Sequence, residues 1–343
     1  MTHRRRLARS ILLAVALAIG VSLLGCGSAS TTTQTRPVAA TAAAAPQPAP
    51  ITITMPGKVL GLYTGWANIA GNRDIASRLG HPVPFASTYL SYKNGWPGVE
   101  SDAIESLWDK SGYRMVYAVP MFPTSCPVGG SYCWNEGLRK KYDPPFLVVA
   151  ENLIRHGQGH ALIRLGWEFN IKASGTWFAA GYPKQFVARW RQIVTTMMSV
   201  PGAHFVFLWN PNIEGKLNLV DFWPGSAYVG ALGPDLYDWG WLTYPTIKAL
   251  WHRYVYEPQG LNWFATFAAA NHVPLVLPEW NLGISVKPVG TAQVGGGDDP
   301  TFIEDIASFI RAHKVLEAGL FDPHGIMPGP ANPKATAAFL RNF

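Results

Sequence analysis

Eight short β-rich runs separated by helical stretches constrain this chain more than any other feature. They are Val59 to Gly65, Phe85 to Ser91, Arg114 to Val119, Ala161 to Trp167, His204 to Trp209, Tyr228 to Gly233, Pro274 to Pro278 and Leu316 to Phe321. Amphipathic patterns fall between them around Asp74 to Leu79, Ser101 to Lys110, Pro145 to His156, Lys184 to Met198, Leu261 to Ala270 and Pro300 to His313, with a last one at Pro333 to Asn342. A strand that reaches the next through a helix pairs with it in parallel, and repetition of that unit builds a parallel sheet covered by helices. Eight such strands in about 286 residues fit a single (β/α)8 TIM barrel spanning 58–343. One link is short: Leu217 to Phe222, between the fifth and sixth strands, has little room for a helix. A doubly wound open sheet is the alternative, but neither a GxGxxG nor a phosphate-binding loop stands where that fold needs one.

The residues before the barrel read as an address. Met1 to Ser10 is cationic, Ile11 to Leu24 is apolar, and Leu23-Leu24-Gly25-Cys26 follows. This segment resembles the signal peptide of bacterial lipoproteins, which implies cleavage before Cys26 and a lipid on that thiol. The chain is then expected outside the cytoplasmic membrane, lipid-anchored in the cell envelope or secreted. Residues 26–57 are Ala, Thr, Ser and Pro with one charge, Arg36, and form an expected disordered tether. Removing 1–25 takes four arginines and no acid, leaving 24 basic against 21 acidic side chains, a net charge of +3. That balance gives no electrostatic reason for a nucleic-acid partner. With 14 Trp and only 14% charged residues, the chain suits carbohydrate contact, or else a core rich in indoles. Cys126 and Cys133 are separated by a Gly-Gly loop; in an exported protein such a pair is most simply a disulfide, and a metal knuckle is the alternative.

In a barrel, chemistry gathers at the C-terminal ends of the strands. Strand four ends IRLGWEFN and strand seven ends VLPEWNLG, so each delivers a glutamate, Glu168 or Glu279, beside a Trp. Alternation places Arg164 and Gly166 on the face of Glu168, and Leu275 and Leu277 on that of Glu279. Strand five ends FVFLWNPN and strand six runs YVGALGPDLYDW, adding Trp209, Asn210, Asn212, Asp235 and Tyr237. A mouth of aromatic faces, amides and acids suits a polyol, although Trp209 also reads as packing beneath the site.

These stretches carry a resemblance. RLGWEFN followed by GTWFAAG, then LWNPN, then WPGSAYVGALGPDLYDW, then PLVLPEWNLG are similar to glycoside hydrolase family 26, over essentially the whole chain from Lys58. The resemblance implies that Glu168 is the general acid/base and Glu279 the nucleophile. It implies that Tyr237 steadies the nucleophile, that Arg164 supports the acidic cluster, and that Trp177 and Trp209 platform sugar rings. The substrate-contacting set expected at this mouth is Arg164, Trp167, Asn170, Trp177, Trp209, Asn210, Asp235, Tyr237 and Trp280. Two departures touch specificity: Trp167 stands where the family usually has His, and strand eight ends LFDPHG in place of a Trp platform, leaving Asp322 and His324 as replacements.

The expected activity is that of a retaining, endo-acting β-glycanase on β-mannan or mixed-linkage β-glucan, working as a monomer with no cofactor and no metal. The competing reading is a lipid-anchored, non-catalytic carbohydrate-binding protein on the same barrel. A barrel lyase would need a Schiff-base lysine or a metal at a strand end, and neither Lys58 nor Lys172 stands there. The GGGDDP stretch reads as a loop capping the next helix, with a calcium loop as the alternative.

Overall fold

The computed structural model describes residues 59–126, 131–139, 142–238, 247–283, 297–313 and 315–343. The signal segment, Cys26 and the tether lie outside them. Nine strand segments occur among the described residues: β1 Leu60–Tyr63, β2 Phe85–Tyr89, β3 Arg114–Val119, β4 Leu162–Leu165, β5 Val206–Trp209, β6 Ala231–Leu232, β7 Leu236–Asp238, β8 Leu277–Leu282 and β9 Ala318–Phe321. All pair in parallel, in the order β6-β5-β4-β3-β2-β1-β9-β8-β7.

The ring closes where β6 meets the approach to β8. Leu232 bridges Leu275, its N–H reaching Pro274 O at 3.0 Å while Val276 N–H reaches Leu232 O at 2.9 Å. β6 and β7 are therefore two halves of the sixth barrel position, broken at Gly233-Pro234. Pro234 has no N–H for a ladder. Gly233 runs so close to the neighbouring backbone that a Cβ there would lie 1.6 Å from Val276 O. The fold is thus the eight-position α/β barrel that the alternation predicts, with its sixth stave in two pieces.

Other differences are local. A helix at Ile247–Tyr256 precedes the expected one at Leu261–Ala270, and the cysteine loop contains a helix at Ser131–Gly137. The short link after β5 is one 3-10 turn, Leu219–Phe222, whose Phe222 packs on Phe169 and Phe186. Cys126 and Cys133 form the expected disulfide, Cα atoms 5.9 Å apart. Gly295 and Gly296 lie outside the described residues. Asp298 accepts Lys334 N–H and Ala335 N–H at the start of the Pro333–Asn342 helix, and Asp299 accepts Thr301 N–H at the start of Pro300–His313. The capping reading of this loop therefore describes what these two acids do.

Alternation along the strands divides the core in two. Phe85, Val116, Leu162, Val206, Leu208, Ala231 and Val276 cluster inside the barrel, while their neighbours Ile163, Leu165, Phe207 and Trp209 belong to the larger cluster under the helices. The Pro183–Met198 helix shows how that outer layer is made: Phe186, Trp190, Ile193 and Met197 recur at helical spacing and are all buried. The inner apolar layer supports the polar layer at the strand ends.

Candidate active site

β4 ends at Leu165, and Glu168 follows in a tight turn with φ +53°, after Gly166 at φ +54°. A side chain rarely adopts that conformation, and here hydrogen bonds impose it. Glu168 N–H donates to Asn210 O at 2.7 Å, and Glu168 O accepts Ile171 N–H at 3.0 Å. Gly166 must remain glycine, since a Cβ would lie 2.5 Å from Met121 Sδ. Strand alternation with Arg164 and Gly166 therefore does not place Glu168; the turn does.

Glu279 needs a similar correction. Val276 faces the barrel interior and Leu275 and Leu277 face the helices, so simple alternation would send Glu279 outward. The register of β8 against β9 shifts between Leu277 and Trp280. That irregularity turns Glu279 inward and leaves Trp280 outside, stacked on Phe343 with ring centroids 5.1 Å apart.

Arg164 is the hub of the buried network. Its Nε donates to Asn210 Oδ1 at 2.7 Å, Nη2 to Asp235 Oδ2 at 2.7 Å and Nη1 to Glu279 Oε1 at 2.6 Å. Asn210 Nδ2 reaches Asp235 Oδ1 at 2.9 Å. Tyr89 donates to Glu279 Oε1, and Tyr237 to Glu279 Oε2 at 2.6 Å. Arg164, Asn210 and Asp235 are fully buried, so they hold Glu279 in place and offer nothing to a sugar: the substrate contact expected of the three is corrected, while Arg164 supports the acidic cluster as expected. Tyr89 was missing from the expected set, although it ends β2 by the same strand-end rule that found the glutamates.

Glu168 is held from the other side. Asn170 Oδ1 accepts Asn212 N–H at 2.8 Å and its Nδ2 donates to Asn212 O at 2.7 Å, a two-point clamp between the loops after β4 and β5. Asn212 Nδ2 then donates to Glu168 Oε1 at 2.5 Å. Gly215 leaves room for the clamp, since a Cβ there would lie 1.9 Å from Asn170 Nδ2. Asn170 is thus a support of the acid, not a sugar contact.

Glu168, Asp235 and Glu279 each bring one carboxylate oxygen within 4.8 Å of the others. Such a trio can hold a cation, and Arg164 already fills that role for Asp235 and Glu279. Burial pushes the Glu168 carboxyl up to about 7, with the Glu279 charge adding to it and the Asn212 hydrogen bond and Arg164 opposing. Burial and the Glu279 charge also raise Tyr89 and Tyr237 well above the ordinary phenol range, so both remain donors.

The two expected sugar platforms, Trp177 and Trp209, and the expected sugar contact Trp280 turn out to be structural. Trp177 is 1% exposed, and Trp209 and Trp280 are 0% exposed. Trp177 Nε1 donates to Trp167 O at 2.8 Å and Trp209 Nε1 to Phe222 O at 3.1 Å. None offers a ring face at the mouth. Trp167 itself is nearly buried, edge-on to Tyr89 at 5.3 Å. Asp322 is consumed by Ile326 N–H at 2.6 Å and Met327 N–H at 3.2 Å, so it replaces no platform, and His324 is exposed beyond it. The partly exposed rings beside Glu279 are instead Tyr63 and Phe321, stacked with centroids 4.8 Å apart and planes at 9°. Trp66, 55% exposed, donates its Nε1 to Tyr89 O at 3.1 Å, at the end of β2.

No protein-family model and no curated protein matches the sequence. Solved structures do match in fold. The Bacillus subtilis mannanase BCman superposes with a TM-score of 0.57 at 16% identity, covering 83% of this chain and 85% of its own. A GH26 β-mannanase from Bacteroides ovatus, BoMan26A, gives 0.55 at 14% identity, covering 83% and 88%. The GH26 domain of an endo-β-mannanase/endo-β-glucanase from Prevotella bryantii gives 0.54 at 14%, covering 82% and 88%. The likeness is one of fold: the chain shares the α/β barrel fold of these mannanase structures.

Proposed function

We propose that the chain is a retaining glycoside hydrolase that cuts β-linked polysaccharide internally, with β-mannan or mixed-linkage β-glucan as substrate. One observation carries the reading. Two glutamates whose oxygens approach within 4.8 Å are set in opposite conditions, Glu168 raised to about 7 and Glu279 held by Arg164, Tyr89 and Tyr237. A retaining glycosidase needs carboxyl groups roughly 5–5.5 Å apart, one as acid/base and one as nucleophile.

Glu279 attacks the anomeric carbon while Glu168 gives its proton to the departing glycosidic oxygen. The C–O bond to the aglycone breaks as the glycosyl ester forms. Esterification removes the Glu279 charge, which is the second cause holding the Glu168 carboxyl up. Glu168 then ionises more readily and takes a proton from water, whose oxygen attacks the anomeric carbon and frees Glu279. A binding protein would need neither the acid held near neutrality nor the three donors on Glu279. The mannanase and mannanase/glucanase relatives in fold support the two polymers named. Export and a lipid on Cys26 complete the proposal and rest on the sequence of residues 1–26; the protein acts as a monomer.

Reducing-end release by the domain from Lys58 onward, with products identified by mass spectrometry, tests the reading on β-mannan and mixed-linkage β-glucan. Cleavage of one polymer is expected, abolished in Glu279→Ala and restored to that variant by azide with inverted product. Binding of a polymer without cleavage would refute it.

A further inference from the structure

Glu317 is a carboxyl beneath the catalytic cluster that the reaction above does not use. It immediately precedes β9, is 0% exposed, and neither of its oxygens receives a hydrogen bond. Two glycines make its space: a Cβ on Gly61 of β1 would lie 2.3 Å from its Oε1, and one on Gly319 of β9 would lie 3.1 Å away. The register pairs Gly61 with Gly319 and Tyr63 with Phe321, so Glu317 lies deeper in the barrel than the aromatic pair at the mouth. Around it β4 presents Arg164 and β8 presents Glu279. Nearer the mouth stand Tyr63 from β1, Tyr89 from β2, and Asp235 and Tyr237 at β7. Among the described residues Arg164 is the one cation that acts on it, and the Arg164 hydrogen bonds go to Asn210, Tyr89, Asp235 and Glu279.

We propose that Glu317 is a positioning residue for Glu279: as an uncharged floor to the barrel, it leaves the Arg164 guanidinium to the nucleophile. A buried carboxylate with no donor is too costly to remain ionised, whereas the neutral acid fits the glycine-lined space. Burial pushes the carboxyl well above its ordinary range, the Glu279 charge adding to the effect and Arg164 opposing it. Were Glu317 to ionise, it would draw the guanidinium from Glu279 and weaken its hold on the nucleophile. The inference rests on the nucleophile role assigned to Glu279.

Denaturant unfolding of the wild type, Glu317→Gln and Glu317→Ala between pH 5 and pH 7 tests the uncharged state without any activity. The folded value lies above the unfolded one, so the stability that the neutral Glu317 contributes is fully present below the unfolded value and is lost as pH rises through the folded one. The wild-type unfolding constant is expected to grow against that of either variant as pH rises, by up to about tenfold per pH unit. A ratio independent of pH overturns the proposal. The alanine variant is less stable at every pH but shows the same pH dependence, because it too lacks the titrating group. On the polymer that is cut, Glu317→Gln is expected to keep kcat and KM within about threefold of wild type at pH 6 and to lose less activity than wild type at alkaline pH. A folded Glu317→Gln with kcat reduced more than tenfold at pH 6 would mean that the charged form is needed, and would also overturn the proposal. If no polymer is cut, the activity reading fails while the unfolding ratio still decides the state of Glu317.

Discussion

Replacing Tyr237 by Phe separates the two oxygens of Glu279. Oε1 of Glu279 has two donors, Arg164 Nη1 at 2.6 Å and Tyr89; among the described residues Oε2 has one, Tyr237 at 2.6 Å. Tyr237 is only 7% exposed, so solvent has little access to replace the lost hydroxyl. A hydrogen bond to a charged group contributes about 1.5–3 kcal/mol. Tyr237→Phe should therefore lower kcat/KM by roughly 10- to 150-fold, at about 1.4 kcal/mol per decade. The ring remains, edge-on to Phe321 at 6.2 Å, so the melting temperature should change little. Tyr89→Phe leaves Arg164 on Oε1, and its loss should stay below about tenfold. Steady-state kinetics on the polymer that is cut, with thermal melts of both variants, make the comparison. A Tyr237→Phe enzyme within twofold of wild type, or a Tyr89→Phe enzyme more impaired than it, would refute the account of how Glu279 is held.

In the proposed mechanism Glu168 carries the proton that releases the aglycone, so kcat/KM should fall as pH rises through about 7; Asn212→Ala removes the hydrogen bond that lowers this value and should move the alkaline limb upward while reducing kcat, as pH–rate profiles would show. Replacing Cys126 and Cys133 by Ser opens a short loop closed across a separation of 7 residues, and calorimetry should register a loss of about 2 kcal/mol in stability with activity retained at low temperature. Trp280→Ala should cost about 3–5 kcal/mol in denaturant unfolding, because the indole is packed away from the site against Phe343. A Trp280 variant of undiminished stability and raised KM would restore the substrate contact denied to it above.

The barrel was legible because each strand carries its own apolar run, and β3 spans Arg114–Val119 in both readings. The glutamates were legible because an acid at the end of an apolar strand is a local exception that needs no tertiary knowledge. What hid was register. No local pattern announces the shift in β8 that exchanges the faces of Glu279 and Trp280, nor the left-handed turn that carries Glu168. The tryptophans misled for a related reason: an indole suits a core as well as a sugar, and only the outward face of Trp209 on β5 decides between them. Tyr89 and Phe321 were within reach of the strand-end rule had it been applied to aromatics as well as acids and amides. Glu317 was beyond it, since its meaning depends on Gly61 of a strand more than 250 residues away.

The back-to-back placement of Glu279 and Trp280 gives the outer wall a mechanical claim on the reacting centre. Trp280 leans on Phe339 and Phe343, at the end of the Pro333–Asn342 helix, with ring centroids 6.4 and 5.1 Å away. Those two phenylalanines pack on Trp280, and so they brace the stave from which Glu279 projects. An antibody fragment that grips this helix would act on turnover from the far side of the barrel, and turnover would in turn serve as a reporter of what is bound there.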